Sequence, residues 1–461
     1  IIDGMEQHID QKQMRGVVTR GVAISGVGNG VLRFFDLAIA IFLLRWLTVF
    51  EYGTYRLILA AYDFAAGFFL AGLENVVVSD ASGSLKEEPR KARTLFSVYT
   101  YFTLAVGVLL FLIFFFGSEL VSRRFDGGGE YLRIISFLFL ISPLESAFKL
   151  RFHILLDFAW ETIFRVFRDF SRLGAILAFY FLFSFGTREA ILTLMISYAA
   201  PVVLTILFYH RYSLFAVPSF SEARQALESL FFRHGKWALL EDFLSNSGKN
   251  IRPFIIKFFV GTEAVALFSA AQSLVANMTS IFPIRDILTP VLPRFADRPA
   301  RLSGGINRAI KYSMFAYVLI GIVGAVAAPF AVFLLFPKYL PSLPIFYVFL
   351  LGVPFTGFRS VVVPVFYALK AQEILFFLTA LRIAFTVGVG ITLTYLFGLW
   401  GAVIEATLLG YFITPALARA LRTVLPQWRF SLREIFRFDA YDRELLREMK
   451  YRIAKRFGIT N

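Results

Sequence analysis

The chain has 461 residues, 58% of them hydrophobic and 17% aromatic, with 56 phenylalanines and a mean hydropathy of +0.68. No soluble chain of this length hides so much apolar surface behind a polar skin, which excludes a soluble enzyme or binding module and leaves an integral membrane protein. The formal net charge of +15 then marks loops beside anionic lipid head groups rather than nucleic acid, and the lack of cysteine removes disulfides, thiolate metal sites and cysteine nucleophiles.

Crossing a bilayer core takes about 20 mostly apolar residues per helix, and the sequence supplies twelve such stretches. The first six run over 20–44, 53–79, 94–116, 131–153, 163–185 and 189–210. Lys12, Arg15 and Arg20 precede the first, with Met5 or Met14 as the expected start and no cleavable signal pattern ahead of it. Between the first two stretches lies Phe42-Leu-Leu-Arg45-Trp-Leu-Thr-Val-Phe-Glu51-Tyr52-Gly53-Thr-Tyr55-Arg56, an elbow so short that the two helices must form an antiparallel hairpin. Lys86, Arg90, Lys91 and Arg93 follow the second stretch, and Lys149, Arg151 and Arg165 bracket the turn from the fourth to the fifth. The connector 211–235 carries Arg211, Arg224 and Arg233. Its Ser219-x-x-Glu222 capping box opens an apolar face at Ala223, Leu227, Leu230 and Phe231, so an interfacial helix ending at Gly235 is expected there.

After the connector come stretches at 236–259, 262–288, 306–336, 345–369, 371–397 and 399–422. The elbow returns in Phe254-Ile-Ile-Lys257-Phe-Phe-Val-Gly-Thr-Glu263, where an offset of 212 positions pairs Arg45 with Lys257, Trp46 with Phe258 and Glu51 with Glu263. A repeat of this size is the mark of a two-lobed transporter, here 14–210 and 236–422. Arg294, Arg298, Arg301, Arg308 and Lys311 follow the eighth stretch, and the tail 423–461 reads as a basic amphipathic segment on the membrane surface. The alternate connections hold only Arg188, only Lys338, and no charge between Phe397 and Trp400. Loop 117–130 departs from this, but its Arg123 and Arg124 stand beside Glu119, Asp126 and Glu130. The bias places both termini in the cytoplasm and requires an even number of spans. The fold class is therefore all-α, a polytopic membrane protein of about twelve transmembrane helices in two pseudo-symmetric six-helix lobes.

The elbow residues Arg45-x-Leu47-x4-Tyr52-Gly53-x-Tyr55 resemble the polysaccharide-transporter branch of the multidrug/oligosaccharidyl-lipid/polysaccharide exporter superfamily, the O-antigen and lipid-linked oligosaccharide flippases. Gly261-Thr-Glu263-Ala-Val-Ala-Leu-Phe-Ser-Ala-Ala-Gln272 is similar to the second-lobe counterpart, and Phe397-Gly398-Leu-Trp-Gly401-Ala402 to the family's Gly-x-x-Gly-Ala. The departure is Leu47-Thr-Val-Phe-Glu51, where the family has Leu-Gly-Pro before the acid. The resemblance covers about 14–422. It implies a V-shaped transporter in the plasma (inner) membrane, not an enzyme. By alternating access such a protein moves a polyprenyl-pyrophosphate-linked oligosaccharide from the inner to the outer leaflet. A drug or cation antiporter of the same superfamily is the alternative. A membrane glycan polymerase or glycosyltransferase would need a sizeable outer loop with catalytic acids, and the outer loops here are short.

A pyrophosphate crossing hydrocarbon needs cations in a wet cavity, because charges inside a membrane are costly unless they face one. Arg33, Lys249 and Arg252, on the corresponding first helices of the two lobes, and Arg359 on the tenth are the candidate cargo residues. Arg33 has an alternative partner in Asp36, one turn away. Arg359 lies between Pro354, Gly357 and Pro364, which reads either as a broken helix at a site or as a kink with a snorkelling arginine. Asp63, Glu74 and Glu405 are candidates for the coupling ion, proton or sodium, or else are interhelical partners for arginines. Asp169, Arg168, Arg172, Glu145, Glu241 and Arg382 are further interior charges. Gly26-x-Gly28-x-Gly30 lacks the spacing of a nucleotide loop, and no ATP motif or metal-ligand spacing occurs, so no cofactor is expected and a gradient or the cargo supplies the energy. Membrane lipids, the lipid-linked cargo and glycan-assembly proteins of the envelope are the expected partners.

Overall fold

The computed structural model describes residues 30–70, 74, 77–78, 80–81, 88–122, 128–155, 157–209, 215–228, 236–282, 284–285, 288, 292, 299–369, 371–429 and 443. Helix is the only regular structure among them. The first lobe comprises α1 (30–46), α2 (Val49–Leu70), α3 (Pro89–Ser122), α4 (Gly129–Ser136), α5 (Leu138–Ile154), α6 (Phe158–Leu182) and α7 (Thr187–Phe208). A short α8 (Phe220–Glu228) leads to α9 (Lys236–Phe259), α10 (Thr262–Thr279), α11 (Pro299–Leu335), a 3-10 turn (Pro337–Ser342) and α12 (Leu343–Leu350). The second lobe ends with α13 (Val353–Ala368), α14 (Gln372–Phe397) and α15 (Leu399–Val424).

Six spans among the described residues are long and apolar enough to cross a membrane by themselves, with α4 and α5 counting as one. The α12–α13 pair, bent by 53°, makes a seventh as a broken span. The more polar α1, α2, α6, α9 and α10 occupy the five remaining positions, consistent with twelve. The outward surface of the bundle is hydrocarbon, as lipid requires: Phe181 of α6 and Phe330 and Leu334 of α11 are 76%, 73% and 76% exposed.

The tenth span breaks at a place the sequence did not single out. Its bend lies at Leu351–Gly352, and α13 runs unbroken through both Arg359 and Pro364. Pro354 sits in the first turn of α13, where a missing N–H costs nothing, so it starts a helix rather than interrupting one.

The elbow gains its corner from a reciprocal cap. The Thr48 amide donates to Glu51 Oε2 at 2.8 Å, and the Glu51 amide donates to Thr48 Oγ1 at 3.2 Å. Two orphan donors at the start of α2 are thereby satisfied.

α2 joins the lobes, packing along both α9 and α10. Gly53 makes the approach possible: a Cβ there would stand 2.2 Å from the carbonyl oxygen of Thr262. Lys338 Nζ reaches from the second lobe to the last carbonyls of α1, donating to Arg45 O at 2.9 Å and also to Leu47 O. Tyr339, fully buried, packs edge-on against Tyr52 at 5.8 Å between ring centroids. The lobes are thus sealed at the end of the bundle that carries both elbows.

The connector helix opens as expected, with the Ser219 amide on Glu222 Oε2 (2.8 Å) and the Glu222 amide on Ser219 Oγ (3.3 Å). It lies against α3, where Ala226 is buried beside Leu95 and Phe96 and Arg90 pairs with Glu222 at 3.0 Å. Its expected end at Gly235, the N-terminal segment with Gly26 and Gly28, and the tail beyond 429 except residue 443 lie outside the described residues.

Candidate functional site

Four cations meet inside the second lobe. α9 presents Lys249 and Arg252 one turn apart, α13 presents Arg359, and α14 presents Arg382; all four line one cavity of about 330 Å3. The helices can close around it because α9, α14 and α15 pack tightly in sequence. Gly401 permits the α14–α15 turn, since a Cβ there would lie 1.8 Å from the Leu393 carbonyl oxygen. Thr356, Gln272 and Thr407 add polar atoms to the wall, and Val275, Phe349 and Leu409 add hydrocarbon.

The clearest ion pair of the chamber belongs to Arg252. Arg252 holds Glu405 in a two-point grip, Nε to Oε2 at 2.8 Å and Nη2 to Oε1 at 3.1 Å, and Nη2 also donates to Thr386 Oγ1 at 3.2 Å. Glu405 is 1% exposed, so the grip is buried on its acidic side. Arg382 Nη2 donates to the Ser245 carbonyl at 3.2 Å. Arg359 Nη2 makes a long contact to Thr356 Oγ1 at 3.4 Å, and its Nε is buried without a hydrogen-bond partner among the described residues. The charges that bear on Arg359 are Arg382 and Arg252, both positive. Two like charges 8 Å apart repel by about 2 kcal/mol at an effective dielectric of 20, so such a cluster is stabilised by a visiting anion.

A smaller adjoining cavity of about 180 Å3 shares Lys249, Arg359 and Arg382 and adds Arg285 and Glu241. Glu241 accepts from Tyr367 Oη and Thr379 Oγ1, each at 3.4 Å. The chamber as a whole carries excess positive charge.

The expected site residues divide accordingly. Lys249, Arg252 and Arg359 come together, and Glu405 joins them through Arg252. Asp63 approaches from the first lobe: Arg56 on its own helix and Lys249 across the lobe interface are the charges that bear on it. One turn further along α2, Gly67 meets Asn246 of α9 so closely that a Cβ would stand 2.7 Å from the asparagine Cβ. Arg33 is not among the chamber-lining residues. Its Nη1 donates to the Ile281 carbonyl at 2.9 Å, bridging the lobes below α10, and it forms no ion pair with Asp36.

Glu74 lies elsewhere, in a half-buried cluster within the first lobe. His153 Nδ1 is 3.7 Å from Glu74 and its Nε2 is 3.1 Å from Glu161. Glu145 takes Lys149 at 2.5 Å and Arg168 at 3.5 Å, while Arg168 also holds Asp169 at 3.1 Å. Acids and bases pair internally here, in contrast to the second-lobe chamber. Arg382 is the functional candidate that sequence reasoning passed over. It was one interior charge among several, and nothing in its own helix sets it apart. Among the described residues no cluster of histidine and carboxylate side chains suits a metal ion.

The model of the polysaccharide biosynthesis protein family matches residues 42–344. No curated protein matches the sequence. Among solved structures, the lipid II flippase MurJ in an inward closed conformation superposes with a TM-score of 0.72 at 12% identity, over 90% of this chain and 89% of that one. An inward-facing MATE-family multidrug resistance transporter of the MOP superfamily gives 0.70 at 16%, over 85% and 95%. An outward-facing MATE-family transporter gives 0.60, also at 16% identity, over 89% and 96%.

Proposed function

The chain belongs to the polysaccharide biosynthesis protein family, and we propose that it is a flippase carrying a polyprenyl-pyrophosphate-linked oligosaccharide from the inner to the outer leaflet of the plasma membrane. The single observation that carries this reading is the chamber in which Lys249, Arg252, Arg359 and Arg382 converge with Glu405 as the paired carboxylate. A diphosphate is the ligand such a constellation is shaped to hold: it brings several acceptor oxygens and at least two negative charges, and arginine forks grip phosphate in two places at once. The phosphate competes with Glu405 for Arg252, so cargo entry opens that ion pair.

Loop charge supports cytoplasmic termini, which puts the two elbows at the outer face. The contacts of Gly53 with Thr262 and of Lys338 with the end of α1 then form the outer gate, closed in this conformation. The better superposition on inward conformations than on an outward-facing one agrees with that assignment. Transport follows when the lobes rock about α2, releasing the elbow contacts and opening the chamber to the other side. Asp63 and Glu405 are the carboxylates that couple an ion to this cycle in our reading, which is supported by the nearness of each to a chamber cation, Lys249 and Arg252 respectively. Arg33, which reaches across the lobe interface to the Ile281 carbonyl, guides cargo toward the chamber, and Glu74, beside His153 in the first lobe, is the further carboxylate we propose for the coupling ion.

The fold shared with multidrug exporters favours a second reading, export of a small drug. A cationic drug fits poorly among four basic side chains. The test is a leaflet assay: deplete the protein and locate the lipid-linked glycan. Accumulation on the cytoplasmic side is expected, and an unchanged distribution refutes the flippase reading.

A further inference from the structure

A second cavity between the lobes, of about 250 Å3, lies beside the elbows and shares no residue with the cationic chamber. One face of α2 forms its first-lobe wall, with Phe50, Thr54, Leu57, Ile58 and Ala61 recurring at helical spacing. Across from them stand Phe254 and Lys257, one turn apart at the end of α9, and Thr262 at the start of α10. Polar chemistry is confined to the elbow end. Lys257 Nζ donates to Thr262 Oγ1 at 2.7 Å, and Thr54 Oγ1 donates back to the Phe50 carbonyl of its own helix at 3.0 Å. The rest of the wall is hydrocarbon, which leaves a sugar or peptide without hydrogen-bond partners.

The dimensions fit one leaflet. From Phe50 to Ala61 α2 advances about 16 Å, roughly half of a 30 Å bilayer core. An ammonium at the rim above an apolar shaft of that depth is the complement of an anionic phospholipid. The internal repeat sharpens the point. An offset of 212 carries Arg45 to Lys257, and carries Gly128, which also lines this cavity, to Leu340. At the Arg45 elbow the corresponding segment of the second lobe fills the groove with buried Tyr339 and caps α1 through Lys338. At the Lys257 elbow a cavity stands instead.

We infer that this cavity holds one acyl chain of an anionic membrane phospholipid, with the head-group phosphate against Lys257, and that the bound lipid favours the conformation with the elbows together. Both lobes supply its walls, so the ligand binds only while they are apposed and must leave when they part.

The test is native mass spectrometry of the full chain in mild detergent with phosphatidylglycerol or phosphatidylcholine added. A lysine near the membrane surface favours an anionic lipid by about fivefold, so the phosphatidylglycerol adduct should dominate by that factor and the preference should vanish in Lys257→Gln. Ala61→Phe, which fills the shaft, should remove the adduct. Equal binding of the two lipids, or a preference that survives Lys257→Gln, overturns the inference. Displacement of phosphatidylglycerol by an equal concentration of polyprenyl phosphate assigns the cavity to the cargo's carrier instead and also overturns it. Should Ala61→Phe fail to insert, a phosphatidylglycerol with a photoreactive chain, applied to the unmodified protein, must label α2 within 50–61; labelling elsewhere counts against the site.

Discussion

Consider the Arg252–Glu405 pair, in which the guanidinium side chain is 13% exposed and the carboxylate 1%. Removing either partner alone strands the other charge in a low-dielectric wall, and for buried pairs that loss costs about 3–5 kcal/mol. Replacing both with apolar residues of similar volume, as in Arg252→Met with Glu405→Leu, is expected to range from neutral to about 4 kcal/mol more stable. Stability and transport should therefore come apart. Unfolding of the purified chain by titration with denaturing detergent should show Arg252→Met weakened by the single-partner cost and the double variant restored. Glycan translocation should fail in both, because neither retains the fork that grips phosphate. A double variant that translocates at the normal rate would refute the cargo role of Arg252 and leave the pair a purely structural device. A single variant as stable as the parent would refute the buried-pair argument itself.

Arg359→Gln and Arg382→Gln should insert normally yet bind a diphosphate more weakly by on the order of a hundredfold each, since a charge about 5 Å from a phosphate contributes about 3 kcal/mol at an effective dielectric of 20; isothermal titration with a soluble diphosphate analogue checks this. Gly53→Leu places a side chain where the Thr262 carbonyl now sits and should hold the elbows apart. The chain has no native cysteine, so cross-linking of an Arg45→Cys, Lys338→Cys pair reports the gate directly and should fall several-fold in the Gly53→Leu background. For the connector helix, hydrogen bonds from the Ser219 amide and hydroxyl hold the Glu222 carboxyl below its ordinary value of 4.5, with Arg90 adding to the effect. A lowered value in the folded state means the cap stabilises above pH 4.5 and is lost as the pH falls through the folded value. Corrected for the intrinsic rate at each pH, hydrogen-exchange protection of the Ser219 amide should fall on acidification, and Ser219→Ala should lower protection of the Glu222 amide already at neutral pH.

What residues alone determined here is what the bilayer dictates. Hydrocarbon tolerates only structures whose backbone groups are satisfied internally, so apolar length pointed to an all-helical membrane fold, and the recurrence of Arg45 and Glu51 as Lys257 and Glu263 pointed to two lobes. Charge inside a span is costly enough to betray itself, which is why Lys249, Arg252 and Arg359 stood out as candidates before any contact was known. Tertiary structure decided which of those charges share a space. Helix rotation and lateral packing are set by neighbours and not by the span's own sequence, so Arg382 on α14 could join the chamber, Glu405 on α15 could become the partner of Arg252, and Arg33 could reach the Ile281 carbonyl instead of Asp36. The Leu351–Gly352 bend was settled in the same way. A proline is compatible with either a break or a helix start, and only the packing around it selects one.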